Sequence, residues 1–160
     1  MHARAAQLVR DLHLDPHPEG GYFREVFRSP HQVQPEDDRS PRAALTTIYF
    51  LLAEGQHSRW HRVASDEAWH HYEGEGLDLF WIDAADRMHH ARLGRVGEET
   101  RPVAVVPAGC WQAARPTGAY ALVGCSVGPG FDFADFEMLE AGTPEHERLG
   151  GVEGFLVSLL

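Results

Sequence analysis

The chain contains no lysine: all 14 of its Lys-plus-Arg positions are arginine, scattered along 160 residues. Against them stand 24 acidic side chains, giving a formal charge of −10. That balance argues against a nucleic-acid surface, which needs clustered cations to neutralise phosphates. Cysteine is scarce as well. Cys110 and Cys125 are too few for a disulfide framework or a zinc motif and read as reduced thiols packed like small hydrophobes. No apolar run approaches the roughly 18 residues that span a bilayer. The opening MHARAAQLVRDL lacks the long apolar stretch of a signal peptide, so a cytoplasmic location is expected. No nucleophile elbow, phosphate loop or dinucleotide fingerprint is present. What is there is ordinary globular material, 43% hydrophobic and 24% charged, expected to fold as one domain over 1–160.

Leu8, Val9 and Leu12 recur at helical spacing, predicting a short N-terminal helix that Pro16 and Pro18 end. PHPEGG then reads as turn chemistry. YFREVFR (22–28) alternates as a strand, with Phe23, Glu25 and Phe27 on one face and Tyr22, Arg24, Val26 and Arg28 on the other. Residues 29–42 are polar with three prolines and read as a mobile surface loop, a lid or a plain insertion. From Ala44 onward, short β-rich runs alternate with glycine turns: 46–52, 61–65, 67–72, 77–83, 88–93, 103–107, 120–127 and 131–139. Many short strands at this spacing predict an all-β sandwich or barrel. Thr143 to Glu145 suits a helix start, and the closing FLVSLL is too apolar to hang free, so it is expected to dock on the core or on a partner subunit.

The stretch HRVASDEAWHHYEG (61–74) carries the chemistry. Strand alternation puts Glu67, Trp69 and His71 on one face, and the same parity puts His61 and Val63 on one face of the strand before. If the strands are neighbours, His61, Glu67 and His71 converge, and a buried carboxyl beside imidazoles has a tuned pKa fit for proton transfer. The plainer alternative is a core histidine satisfied by a glutamate. Trp69 shares the parity and is the candidate wall for stacking a flat or sugar-like ligand. Arg24 and Arg28 are candidates for holding an anionic group. His57 and His61 are four apart, but the β pattern argues against the helix a zincin requires.

The spacing of His61, Val63, Glu67 and Gly74, followed by Pro107, Gly109 and Gln112, resembles the two motifs of the cupin superfamily. The blocks HPEGGYFREVFRS, TTIYFLL, WHRVASDEAWHHYEG, VVPAGCWQAA and LVGCSVGPGFDF narrow the resemblance to the cupin-like family DUF985. The resemblance implies a double-stranded β-helix (a jelly roll), a homodimer, and kinship in shape to deoxysugar epimerases. It also implies metal-ligand positions at His61, Glu67 and Gln112, with Val63 where a second histidine is usual. An amide oxygen is a weak ligand for metals that suit imidazole, so a metal-free or weakly divalent-metal-binding pocket is expected. Three functions compete. One is an isomerase or epimerase of a sugar-like or carbonyl metabolite, in which His61 or His71 abstracts a proton, Glu67 orients and tunes the imidazole, and a tyrosine such as Tyr22 returns the proton. The others are a non-catalytic small-molecule binder and a metalloenzyme with an altered ligand set.

Overall fold

Apolar side chains at helical spacing near the N-terminus build the first helix, and those at alternate positions after it build two large antiparallel sheets. The computed structural model describes all 160 residues. In chain order the elements are α1 (Ala3–Asp11), β1 (Asp15–Pro16), β2 (Tyr22–Arg28), β3 (Gln32–Val33), β4 (Arg42–Ala43), β5 (Thr46–Ala53) and β6 (Ser58–Val63). There follow β7 (Asp66–Gly74), β8 (Leu77–Ile82), β9 (Met88–Leu93), β10 (Val103–Val106), β11 (Trp111–Pro116), β12 (Tyr120–Gly128), β13 (Phe136–Met138) and α2 (Pro144–Leu149). One sheet has the order β1-β2-β5-β12-β7-β10, the other β13-β6-β11-β8-β9, and β3-β4 forms a separate ribbon.

The two large sheets face each other as a jelly roll. Between them Phe50, Leu52, Trp69 and Val123 pack against Leu77, Leu79, Leu93 and Ala114. Each outer face has its own cover. Ala5 and Leu8 of α1 lie on Leu51, Ala53, Tyr120 and Leu122. Leu149, Val152 and Leu159 lie on Trp60, Ile82 and Trp111. The apolar C-terminus is therefore docked on the core, and the Trp60 indole donates to the Leu156 carbonyl at 3.0 Å. Helix α2 starts as its sequence predicts, with Thr143 accepting from the His146 N–H and Pro144 in the first turn. No helix is long and apolar enough to cross a membrane.

Four local expectations are corrected. Helix α1 stops at Asp11, and His13 leaves it at φ 52°, so a left-handed residue rather than proline ends the helix. VPAGCWQAA hides a strand, β11, which lies between β6 and β8. The run at 131–139 is interrupted by a 3-10 turn at Phe133–Asp135, because the Asp132 side chain caps the Ala134 N–H. Residues 29–42 are tied down: Arg42 forks onto both Asp135 oxygens at 2.8 Å, and Arg39 reaches Ser65 at 3.0 Å and Asp135 at 3.2 Å. The glycine pair before β2 serves close approach. Gly20 and Gly21 have φ of +115° and +69°, and a Cβ on Gly21 would sit 2.6 Å from the Leu51 carbonyl oxygen.

Candidate functional site

A cavity of about 240 Å³ opens between the sheets at one end of the roll. Its polar floor is His17, Glu19, His61 and Glu67, with the Cys125 thiol beside them. Phe23, Phe131, Phe133 and Phe136 make an aromatic wall, and Glu25, Arg28 and Asp132 stand at the mouth. His61 arrives on β6 and Glu67 on β7, which opposing sheets bring face to face across the interior. His17 and Glu19 come from the PHPEGG loop. That loop is fixed by the bond from the Arg59 N–H to the Glu19 carbonyl at 2.8 Å and by Arg59 Nη2 donating to the Pro18 carbonyl at 2.8 Å.

The hydrogen bonds assign the protons. A carbonyl only accepts, so His61 Nδ1–H donates to the Arg59 carbonyl at 2.7 Å. The neutral ring then turns its Nε2 lone pair toward Glu19 Oε2, 3.3 Å away. Glu19 Oε1 accepts from the Ser58 hydroxyl at 2.8 Å. Behind Glu67 an indole only donates, so Trp69 Nε1 fixes the Gln112 oxygen at 3.1 Å and turns its amide nitrogen onto Glu67 Oε2 at 2.6 Å. His17 Nδ1 accepts the Glu19 N–H at 3.3 Å, leaving Nε2–H without a protein partner.

Burial sets the charge states. It pushes the Glu67 carboxyl above the usual carboxylate range, with Glu19 adding to the rise and His61 and the Gln112 amide opposing it. Burial raises Glu19 likewise, against His17 and the Ser58 hydroxyl. The His61 and His17 rings are pushed down by burial, against the pull of Glu67 and Glu19 respectively. Burial also holds the Cys125 thiol well above its ordinary value, which favours the protonated thiol over the thiolate. The result is two carboxyls and two imidazoles whose neutral forms burial favours, lining a space that fits a small molecule.

The structure brings together only part of the predicted site. His61 and Glu67 meet in the cavity. His71 shares the inward parity but lies four residues along β7 from Glu67, about 13 Å away, with Trp69 between them. Its Nε2–H donates to the Glu75 carbonyl at 2.7 Å. Trp69 is fully buried core rather than a stacking wall, and Gln112 is buried behind Glu67 as its hydrogen-bond donor. Tyr22 packs on the outer face with the α1 cluster, too far round the sheet to return a proton, and Arg24 lines an open groove beside Val9 and Arg10. A bulge between Glu25 and Phe27 reverses the parity of β2, so Arg28 turns to the cavity and Phe27 is exposed. Arg28 is already engaged, forking onto Glu25 at 3.0 and 2.7 Å. His17 and Glu19 escaped sequence reasoning because PHPEGG reads as a turn; a histidine and a glutamate within a turn feeding a barrel strand are the only signal there.

A family model described as "Cupin superfamily (DUF985)" matches residues 6–139. The chain belongs to this cupin family. Among solved structures it is similar to a hypothetical protein from Leishmania major, with TM-score 0.81 and 35% identity over 91% of this chain and 95% of that one. A protein from Shewanella oneidensis is similar at TM-score 0.78 and 33% identity, covering 92% of this chain and 96% of that one. More distantly, the fold matches oxalate decarboxylase from Bacillus subtilis at TM-score 0.59 and 15% identity, over 89% of this chain and 38% of that one. No protein of curated function matches.

Oxalate decarboxylase has Mn(II) centres, and this cupin's donor set does not suit one. Val63 offers no donor where the family motif places a histidine. The Gln112 oxygen is taken by Trp69, so the amide shows N–H rather than oxygen to Glu67. The free nitrogen of His61 faces Glu19. No group of three or more His, Cys, Asp or Glu side chains is arranged to hold a metal ion.

Proposed function

We propose that this cupin binds a small carbonyl or sugar-like metabolite in the cavity and moves a proton on it, as an isomerase or epimerase does. The observation that carries the reading is the approach of His61 Nε2 to the buried Glu19 Oε2 at 3.3 Å, with a second buried carboxyl, Glu67, facing the same space. Proton transfer needs groups whose pKa lies near the working pH, and burial moves these carboxyls up toward it while keeping the His61 ring neutral. In this scheme Glu67, as carboxylate, takes the proton from the carbon beside the carbonyl. Glu19, protonated beside the His61 Nε2 lone pair, gives its proton to the carbonyl oxygen, forming an enol. Glu67 then returns its proton to the former carbonyl carbon while the hydroxyl on the neighbouring carbon gives its proton back to Glu19, which moves the carbonyl and leaves the enzyme with the protons it began with.

The test is solvent exchange. Small hydroxyketones and aldoses are incubated with the protein in D₂O, and deuterium at the carbon beside the carbonyl is followed by NMR. Exchange with at least one compound, lost in Glu67→Gln, is expected; binding without exchange across the series would leave a non-catalytic binder. A homodimer is the companion expectation, supported by Val103 and Val105 standing exposed on the edge strand β10. Light scattering on the purified protein reads it directly.

A further inference from the structure

The titratable side chains around the cavity are mostly acidic. Glu19, Glu25, Glu67 and Asp132 line it, and Arg28 is the only arginine that does. Arg28 is neutralised in place: it forks onto Glu25 at 3.0 and 2.7 Å, and a third N–H goes to the Phe131 carbonyl at 3.0 Å. The chain has no lysine to add, and burial keeps His17 and His61 from taking up a proton. An anion entering here would meet no free cation.

The wall is built for the opposite charge. Phe131 and Phe133 sit 5.0 Å apart at 82°, and Phe133 and Phe136 6.0 Å apart at 81°. Rings set at right angles turn their faces in different directions, and a ring face attracts a cation within about 6 Å of its centre. At the floor, the His17 side chain is only 6% exposed, and its Nε2–H has no protein partner. His17 lines the cavity, so an oxygen of a ligand can accept from it.

We propose that the cavity is a site for an organic cation, an amine-bearing carbonyl or hydroxyl compound. Its ammonium lies among the phenylalanine rings beside the Glu67 carboxylate, and its oxygen accepts from His17 Nε2. Pairing with the ammonium gives the Glu67 carboxylate the counter-charge it otherwise lacks, which lowers the cost of ionising it. The overall charge of −10 draws cations toward the protein before they arrive. The inference rests on the cavity being the ligand site, as the proton-transfer reading does, and names the class of molecule it takes.

Three probes with one ring and one functional group decide it: benzylammonium, benzyl alcohol and benzoate, titrated into the native protein at pH 7 by calorimetry. Benzylammonium is expected to bind about tenfold or more tighter than benzoate, with benzyl alcohol between them. Glu67→Gln weakens benzylammonium by about tenfold while leaving benzyl alcohol within about twofold. Phe133→Ala weakens benzylammonium by about fivefold. If either variant misfolds by circular dichroism, the ranking of the three probes on the native protein still decides. Equal affinities, tighter benzoate, or no benzylammonium binding at millimolar concentration overturns the proposal. Turnover is not read in this titration, so a failed ranking leaves the deuterium-exchange test of proton transfer standing, and a failed exchange leaves the ranking.

Discussion

The two ends of the barrel interior are made from the same strands and behave as different materials. On β7, Trp69 is fully buried in the core cluster, and two residues earlier Glu67 faces a cavity. On β12, Val123 packs in the same cluster while Val127 lines the cavity. One end is close-packed and dry; the other holds carboxyls and imidazoles whose protonation burial has shifted. The dry end supplies rigidity, and Trp69 and Gln112 carry it to the other end by holding the Glu67 carboxyl in one orientation. A site with few hydrogen bonds of its own is thus positioned by the core next to it.

The largest effect is expected where the two ends join. Trp69→Ala empties the centre of the core and orphans the Gln112 oxygen. A loss of about 4 kcal/mol in urea unfolding is expected; a loss under about 1 kcal/mol would mean the two ends are not coupled through this side chain. Next comes Gln112→Leu, which leaves the Trp69 N–H and Glu67 without their partner. It is expected to cost roughly 1–3 kcal/mol and to push the Glu67 pKa further up, because the bond that favours its charged form is gone.

The titrating end shows itself in pH dependence. Glu67 keeps its proton to higher pH when folded than when unfolded, so its contribution falls as pH rises from the ordinary carboxylate value through its own raised one. Glu67→Gln should therefore gain on the native protein as pH rises through that window in urea midpoints. His61 works in reverse. Its folded pKa is lowered, so stability is lost as pH falls below the ordinary imidazole value, and His61→Gln should resist that acid loss.

How far this was legible in the sequence follows the same division. Alternation named the inward face of β7 correctly, since a strand has a period of two. It had no means of telling which end of the barrel each inward residue would reach, so His71 was placed with Glu67 although Trp69 separates them. Bulges were equally hidden: the one in β2 exchanged Phe27 for Arg28 at the cavity. His17 and Glu19 come from a loop whose position depends on contacts with Arg59, 40 or so residues away. Family motifs located the roll and its His61–Glu67 corner because their spacing encodes how β6 turns into β7.

Smaller effects sharpen the boundary of the polar end. Asp135 is held below the usual carboxylate range by its bonds to Arg42 and Arg39, and it sits between Phe133 and Phe136 of the wall. Asp135→Asn should speed amide exchange across 131–136 and weaken ligand binding, with little change in the core strands. Added Mn(II) should move the melting temperature by less than about 1 °C, since a site without a ligand set has no binding energy to contribute.

The central claim is that Glu19 and Glu67 are proton-holding carboxyls in a ligand cavity, and a ¹³C NMR pH titration of the glutamate side-chain carboxyls tests it most directly. Two resonances, lost one each in Glu19→Gln and Glu67→Gln, are predicted to titrate above the ordinary carboxylate range. Ordinary or lowered midpoints for both would contradict the account.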